Sequence, residues 1–224
     1  MKPDKGTGTR RGALTGLTPA LGEFLALSGF DLAMVYAEVS SDLDTPVSAF
    51  MKLRNGSSCF LLESAESDQM WGRYSFLGFN PLATVKMEGG EVTVSDSWGE
   101  RRPTGNPVRA LFDEVERRKV FLPCHDMPFE GGAVGYFSYD VLPYLEKVRL
   151  RNEPYPAPGM MFMLPGRIVM FDHLRSRIRL CAMVEAGGGR AEREAAYQAA
   201  EREITAMAGR LAEPLPPDAS IPLP

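Results

Sequence analysis

Histidine and cysteine are scarce in this 224-residue chain, with two and three copies. Cys59, Cys124 and Cys181 are odd in number, widely spaced and form no CxxC pair. That pattern argues against both a disulfide framework and a cysteine zinc site. Cys59 and Cys181 sit in apolar, strand-like runs and read as small core residues. Cys124 and His125 are adjacent, but a nucleophile and its base must converge with a third, orienting group, and adjacency alone does not achieve this. Long apolar runs are absent too, and none reaches the length needed to cross a bilayer. The basic start, MKPDKGTGTRRGALTG, lacks the continuous apolar core of a secretory signal. Nor is there a basic excess. Twenty-five Lys and Arg face 29 Asp and Glu, for a net charge of −4, which argues against a nucleic-acid binder. The expectation is a cytoplasmic protein with neither a nucleic-acid nor a membrane partner. Its hydrophobic fraction of 44% over this length is enough to bury a core.

The hydrophobic pattern divides the chain into short elements. Residues 1–15, rich in Gly, Thr, Lys and Arg, read as a flexible tail. A strand is expected at 33–39. Thr45-Pro46 supplies a cap and a first-turn proline, and Val47, Phe50 and Met51 share a helical face, which predicts a helix over 46–53. Strands follow at 58–63 and 73–79, the second broken at Asn80-Pro81. LATVKMEGGEVTVSD at 82–96 reads as a hairpin, because Gly89-Gly90 tolerates the positive φ of a tight turn. Asn106-Pro107 repeats the cap signal ahead of an amphipathic helix over 107–119, with Val108, Leu111, Phe112 and Val115 inward and Asp113, Glu114, Glu116 and Arg117 outward. FEGGAVGYFSYD at 129–140 reads as a glycine-rich strand, and 140–148 as a short helix or turn limited by Pro143. A long hairpin turning near Asp172-His173 comes next, with His173 as a turn residue. On its second arm Ile178, Leu180, Ala182 and Val184 alternate with Arg177, Arg179, Cys181 and Met183, which predicts one buried and one partly wet face. Three glycines at 187–189 precede a helix over about 190–211. The domain is expected to span 16–212, followed by a proline-rich linker over 213–224. The resulting fold class is α+β, a largely antiparallel sheet or sandwich with flanking helices.

Motifs for chemistry are few. GGAVG at 131–135 lacks the final Lys-Ser/Thr of a phosphate loop, and its glycines lie in a strand rather than at a strand-to-helix turn. Close approach by another backbone is the better reading. Carboxylates show no metal-ligand spacing. Glu63 and Glu66 would face opposite sides of a strand, which argues against a two-carboxylate acid–base site. What stands out is FLLESAES at 60–67, where an apolar strand ends in acids and hydroxyls beside Arg73 and Tyr74.

TPVSAFMKL (45–53), FLLESAES, GRYSFLGFNP (72–81) and FEGGAVGYFSYD occur in this order. With them the chain resembles the N-terminal region of anthranilate synthase component I. FLLES followed by GRYSFLG is the more specific part, whereas GGAVGY is shared with relatives that make aminodeoxychorismate or isochorismate. The resemblance implies the first part of a lyase that converts chorismate, with ammonia or glutamine, to anthranilate and pyruvate. Catalytic residues and the Mg²⁺-binding glutamates would lie in a chorismate-utilising half with no match here, so no cofactor and no catalytic residue is expected in this chain. The implied partners are that half, a glutamine amidotransferase component II, and L-tryptophan as feedback inhibitor.

By the same resemblance Leu62, Glu63 and Ser64 contact tryptophan, Ser64 most directly. The chemistry suits it. Glu63 can pair with an ammonium, Ser64 Oγ can donate or accept, and neighbouring apolar residues can cover an indole. Arg73 is a further candidate, facing the ligand carboxylate or balancing Glu63 or Glu66. The bland alternative for Ser64 is a strand-terminal hydroxyl bonded to its own backbone. Two other functions stay open: the corresponding part of aminodeoxychorismate synthase, and a non-catalytic scaffold for a catalytic chain. If a missing half completes the sheets, exposed edges or apolar patches follow, with a tendency to associate.

Overall fold

The computed structural model describes residues 14–40, 44–54, 58–63, 72–124, 129, 131–149 and 157–216. It is an α+β fold in which one large, mostly antiparallel sheet carries helices on its faces. In chain order the elements are α1 (Leu21–Ala26), β1 (Leu32–Ser40), α2 (Pro46–Leu53), β2 (Phe60–Glu63), β3 (Tyr74–Glu88), β4 (Glu91–Asp96) and β5 (Gly99–Arg101). There follow α3 (Pro107–Glu116), β6 (Val120–Phe121), β7 (Val134–Phe137), α4 (Leu142–Leu145), β8 (Met160–Asp172), β9 (Arg177–Glu185) and α5 (Arg190–Leu211). The sheet runs β5-β4-β3-β8-β9-β1-β6, with β2 also on β3 and β7 also on β8. Among the described residues, only the β1–β6 pair is parallel.

Local signals set the helices. The Thr45 side chain accepts from Ser48 N at 3.1 Å and Ser48 Oγ accepts from Thr45 N at 2.9 Å, closing both ends of a capping box on α2. Asn106 Oδ1 accepts from Val108 N and Arg109 N at 2.9 and 3.2 Å, starting α3. Along α5, Tyr197, Ala200, Ile204, Met207 and Leu211 are buried as the stripe predicts. They join Leu77, Val169, Leu180 and Ala37 in the main core, with each large apolar side chain so buried contributing about 1.5–3 kcal/mol.

Four expectations are corrected. Asn80-Pro81 does not break the strand: β3 runs through it, with Asn80 at φ 48° and the register to β8 shifting between Pro81 and Ala83. The β8 partner there is Pro165, so neither proline is asked for a ladder hydrogen bond its ring cannot give. Second, β9 is buried on both faces from Ile178 to Val184, because α5 covers one and a cluster including Met34, Met170 and Phe76 covers the other. Third, the 129–140 strand shortens to β7, since Gly131 and Gly132 adopt φ of 108° and 91°. Fourth, α3 ends at Glu116 and its faces differ from the expected ones: Phe112 is exposed, whereas Glu114 on the charged side is buried beneath Arg101 and Arg118, which donate to it at 3.0 and 3.3 Å. Arg101 also donates to the Asp96 carboxylate at 2.6 Å, so one guanidinium fastens α3 to the β4–β5 hairpin.

The bend divides the sheet into halves. Before it, β3 pairs with β2, and β8 with β9, which in turn pairs with β1; after it, β3 pairs with β4, and β8 with β7. The backbones come very close here: a β-carbon on Gly166 would lie 2.3 Å from the Asn80 carbonyl oxygen. Gly166→Ala is therefore expected to lower stability by about 1–3 kcal/mol, read as a shifted urea midpoint. Gly22→Ala in α1, where a β-carbon meets nothing within 4 Å, should be neutral or stabilising by up to about 1 kcal/mol.

Candidate functional site

The segment singled out in the sequence begins at an edge of the first half-sheet. β2 pairs antiparallel with the start of β3, setting Leu62 opposite Phe76 and Glu63 opposite Ser75. Cross-strand partners share a face, so the two end residues look in different directions. Leu62 lies on the face of Phe76 and Met170, and Glu63 on that of Ser75 and Phe171. Both are exposed, Leu62 at 45%. Ser64 and Glu66 lie outside the described residues, as does His125.

Leu62's face is rich in aromatic rings and methionines. Phe76 stands 5.6 Å from Phe129 and 6.2 Å from Tyr74, and Phe60 is 6.5 Å from Phe129, between ring centroids. Met34, Met170 and Met183 are buried among them. Farther along, the Arg179 guanidinium lies over the Tyr36 ring at 5.3 Å and donates to Glu38 at 2.7 Å. Burial raises the Glu38 carboxyl, but hydrogen bonds and charge from Arg179 and Arg177 outweigh it and hold the group below its ordinary value. Desolvation pushes the Tyr36 hydroxyl up. The wall is thus an aromatic, polarisable surface with Glu38 fixed between Arg177 and Arg179, a lining suited to a flat apolar ring.

The start of β3 is locked to the β8–β9 turn on both faces, with Asp172 and Tyr74 on the side of Phe76 and His173 and Ser75 on the other. Arg73 grips Asp172 with two bonds, Nε to Oδ1 at 3.0 Å and Nη2 to Oδ2 at 2.7 Å. The His173 amide donates to the Arg73 carbonyl at 2.9 Å. Ser75 Oγ and His173 Nε2 share a hydrogen bond of 2.8 Å, its direction set by the imidazole tautomer. Arg73 therefore faces a carboxylate of the protein itself, while its guanidinium also lies 4.7 Å above the Tyr74 ring. His173 is a turn residue, as expected, but it also holds the serine that faces Glu63's strand. No local pattern signals this contact, because 98 residues separate the two groups. Among the described residues, no group of three or more His, Cys, Asp or Glu could hold a metal ion, and no helix is long and apolar enough to cross a membrane. The glycine motif holds a close contact, as expected: a β-carbon on Gly135 would run into the Met161 carbonyl oxygen.

No family model matches the chain. It is 32% identical over 200 residues to anthranilate synthase component 1 of Bacillus caldotenax, covering 87% of this chain and 39% of that protein. To the protein of the same name from Acinetobacter calcoaceticus it is 31% identical over 204 residues, covering 86% and 39%. The crystal structure of anthranilate synthase component I from Streptococcus pneumoniae TIGR4 superimposes with a TM-score of 0.52 at 22% identity, over 80% of this chain and 37% of that one. The last likeness bears on the fold alone. In each case the chain spans about two-fifths of its relative's length.

The Arg73–Asp172 clamp makes acid stability testable. Burial raises the Asp172 carboxyl, but bonds from Arg73 and the Arg175 amide, with both guanidinium charges, hold it below its ordinary 3.8. A lowered folded value means the clamp's stabilisation is complete above that ordinary value and lost as pH falls through the folded one. Asp172→Asn should cost about 1.5–3 kcal/mol at neutral pH. In denaturation series at decreasing pH, the gap to the parent chain should close below about pH 4.

Proposed function

Because this chain is homologous over most of its length to anthranilate synthase component I, we propose that it is the tryptophan-sensing part of such a synthase. The observation that carries the reading is the exposed end of β2, where Leu62 borders an aromatic wall and Glu63 stands on the opposite face at the sheet edge. An indole placed against Phe76 and its neighbours would bury the apolar bulk of the ligand, from which most of its affinity would come. Glu63 and Ser64 would hold the ammonium and the amino-acid head through charge-assisted and neutral hydrogen bonds. Arg73 acts in this reading through Asp172 and Tyr74, fixing the start of β3 beneath the head group.

Catalysis belongs, in the same proposal, to a chorismate-utilising part such as the longer relatives have room for, with its Mg²⁺ and a glutamine amidotransferase component II as partners. No step of that reaction is assigned to the residues described above. Inhibition requires tryptophan to prefer one of two states of the complete enzyme. β2 is the natural place for that preference to act, since it is a short edge strand whose end joins the ligand to the sheet.

Titration calorimetry of this chain with L-tryptophan should show saturable binding. A ligand at a hundredfold its dissociation constant should raise folding stability by about 2.7 kcal/mol, seen as a higher thermal midpoint. Ser64→Phe, which fills the head-group space, and Glu63→Gln, which removes the charge partner, should each weaken the response while leaving the unliganded midpoint nearly unchanged. In the complete enzyme Ser64→Phe should abolish inhibition and spare anthranilate formation. Full tryptophan inhibition of that variant would refute the proposal.

A further inference from the structure

One titratable group beside the candidate site lies outside its ligand contacts: His173, in the β8–β9 turn. It is exposed, so its imidazole exchanges protons with water, and a histidine ordinarily changes charge between about pH 5 and 8. The ring is nonetheless held. The His173 amide donates to the Arg73 carbonyl at 2.9 Å, the imidazole stacks at 24° to the Phe171 ring, and Nε2 shares the 2.8 Å bond with Ser75 Oγ. Ser75 is only 3% exposed. A buried hydroxyl has one proton to donate, and leaving it without an acceptor is costly. Neutral imidazole can take that bond at Nε2. Imidazolium cannot, because both its nitrogens are donors, so the hydroxyl must then accept from His173 and donate elsewhere.

The surrounding charges decide where it turns. Asp172 lies on the opposite side of the sheet and is engaged by two bonds from Arg73 and one from the Arg175 amide. Arg177 is bound to Glu38. On α2, which packs against β2 and β3, Lys52 is bound to Asp44 and the Leu211 carbonyl, and Arg54 is the C-cap. Glu63 stands directly opposite Ser75 on the same face, and among the described residues nothing bonds its carboxylate. Facing β-carbons in such a pair are about 4.5–5.5 Å apart, within reach of a glutamate side chain. We propose that His173 is a positioning residue for the ammonium site: its protonation turns the Ser75 hydroxyl onto the Glu63 carboxylate, where it competes with a ligand ammonium. The imidazolium charge opposes that ammonium as well. Linkage is reciprocal, so the ligand expels the proton and binds more tightly as pH rises. The ligand here rests on the tryptophan reading, whereas the coupling of His173 to Glu63 belongs to the unliganded chain.

Two measurements on the full 224-residue chain separate the coupling from that reading. Carbon-13 NMR of the Glu63 carboxyl without ligand, between about pH 5.5 and 8, should show an inflection that follows the His173 imidazole. It should vanish in His173→Gln, which keeps a side chain able to bond Ser75 and leaves His125, the other histidine, in place. Titration calorimetry should find L-tryptophan about three- to tenfold weaker at the lower pH. His173→Gln should flatten that dependence, and Ser75→Ala, which leaves the imidazolium but removes the hydroxyl, should keep only part of it. Absence of tryptophan binding at both pH values, with the Glu63 inflection intact, would sink the tryptophan reading and support the coupling. A Glu63 signal indifferent to His173→Gln, equal tryptophan affinity at both pH values, or an undiminished pH dependence in Ser75→Ala would each overturn the inference.

Discussion

The close approach of Gly166 to the Asn80 carbonyl is the contact on which the architecture depends. β3 and β8 are the two longest strands, paired from Tyr74–Asp172 to Met87–Met160. A flat ladder of that length could present only one continuous surface on each side. The bulge at Pro81 and Pro165 turns the ladder part-way along, so its two ends build different half-sheets with different neighbours. A side chain at 166 would force the strands apart where they turn. One end then carries β2 and the candidate ligand wall, and the other carries β4 and β7.

Each half-sheet is completed by its own helices. The first packs α5, α1 and α2 against one face and leaves the opposite face to rings and methionines. The second has α3, fixed by the Arg101 bonds to Asp96 and Glu114. The candidate site draws from the first alone, with Leu62 on the aromatic side and Glu63 on the side of Ser75. The Arg73–Asp172 clamp sits where β2's neighbour meets the β8–β9 turn, so the strand bearing the site is anchored to the central ladder at its most exposed point.

The bounds of α2 and α5 were legible to the residue, because a cap and, in α5, an apolar stripe are local facts. So was the hairpin at Gly89-Gly90, where both glycines take positive φ. The inward face of α2 was not, since Val47 is exposed and Pro46, Ala49 and Leu53 are buried. What sequence patterning missed depended on distant partners. Alternation along 177–184 reads as half-exposed only if nothing covers the second face, and here Met34, Phe76 and Phe129 do. Asn80-Pro81 looks like a break until Pro165 is seen opposite it. Glu114 reads as solvent-facing until Arg101, from another hairpin, is placed above it. At the candidate site the polar strand end and Arg73 were visible in the sequence. Asp172, His173 and Ser75 were not, since their relation spans about a hundred residues and leaves no periodic trace.

The order of strands also sets a timetable for synthesis. β1 is made early, yet its main neighbour is β9, with Leu32 paired to Glu185 and Ser40 to Arg177. Its other partner, β6, supplies only two residues. A ribosome adding about 5–20 residues per second needs on the order of ten seconds to reach β9 after β1 has emerged. Throughout that interval LAMVYAEV is an extended apolar segment without its ladder, and a natural ligand for the chaperones that bind nascent chains.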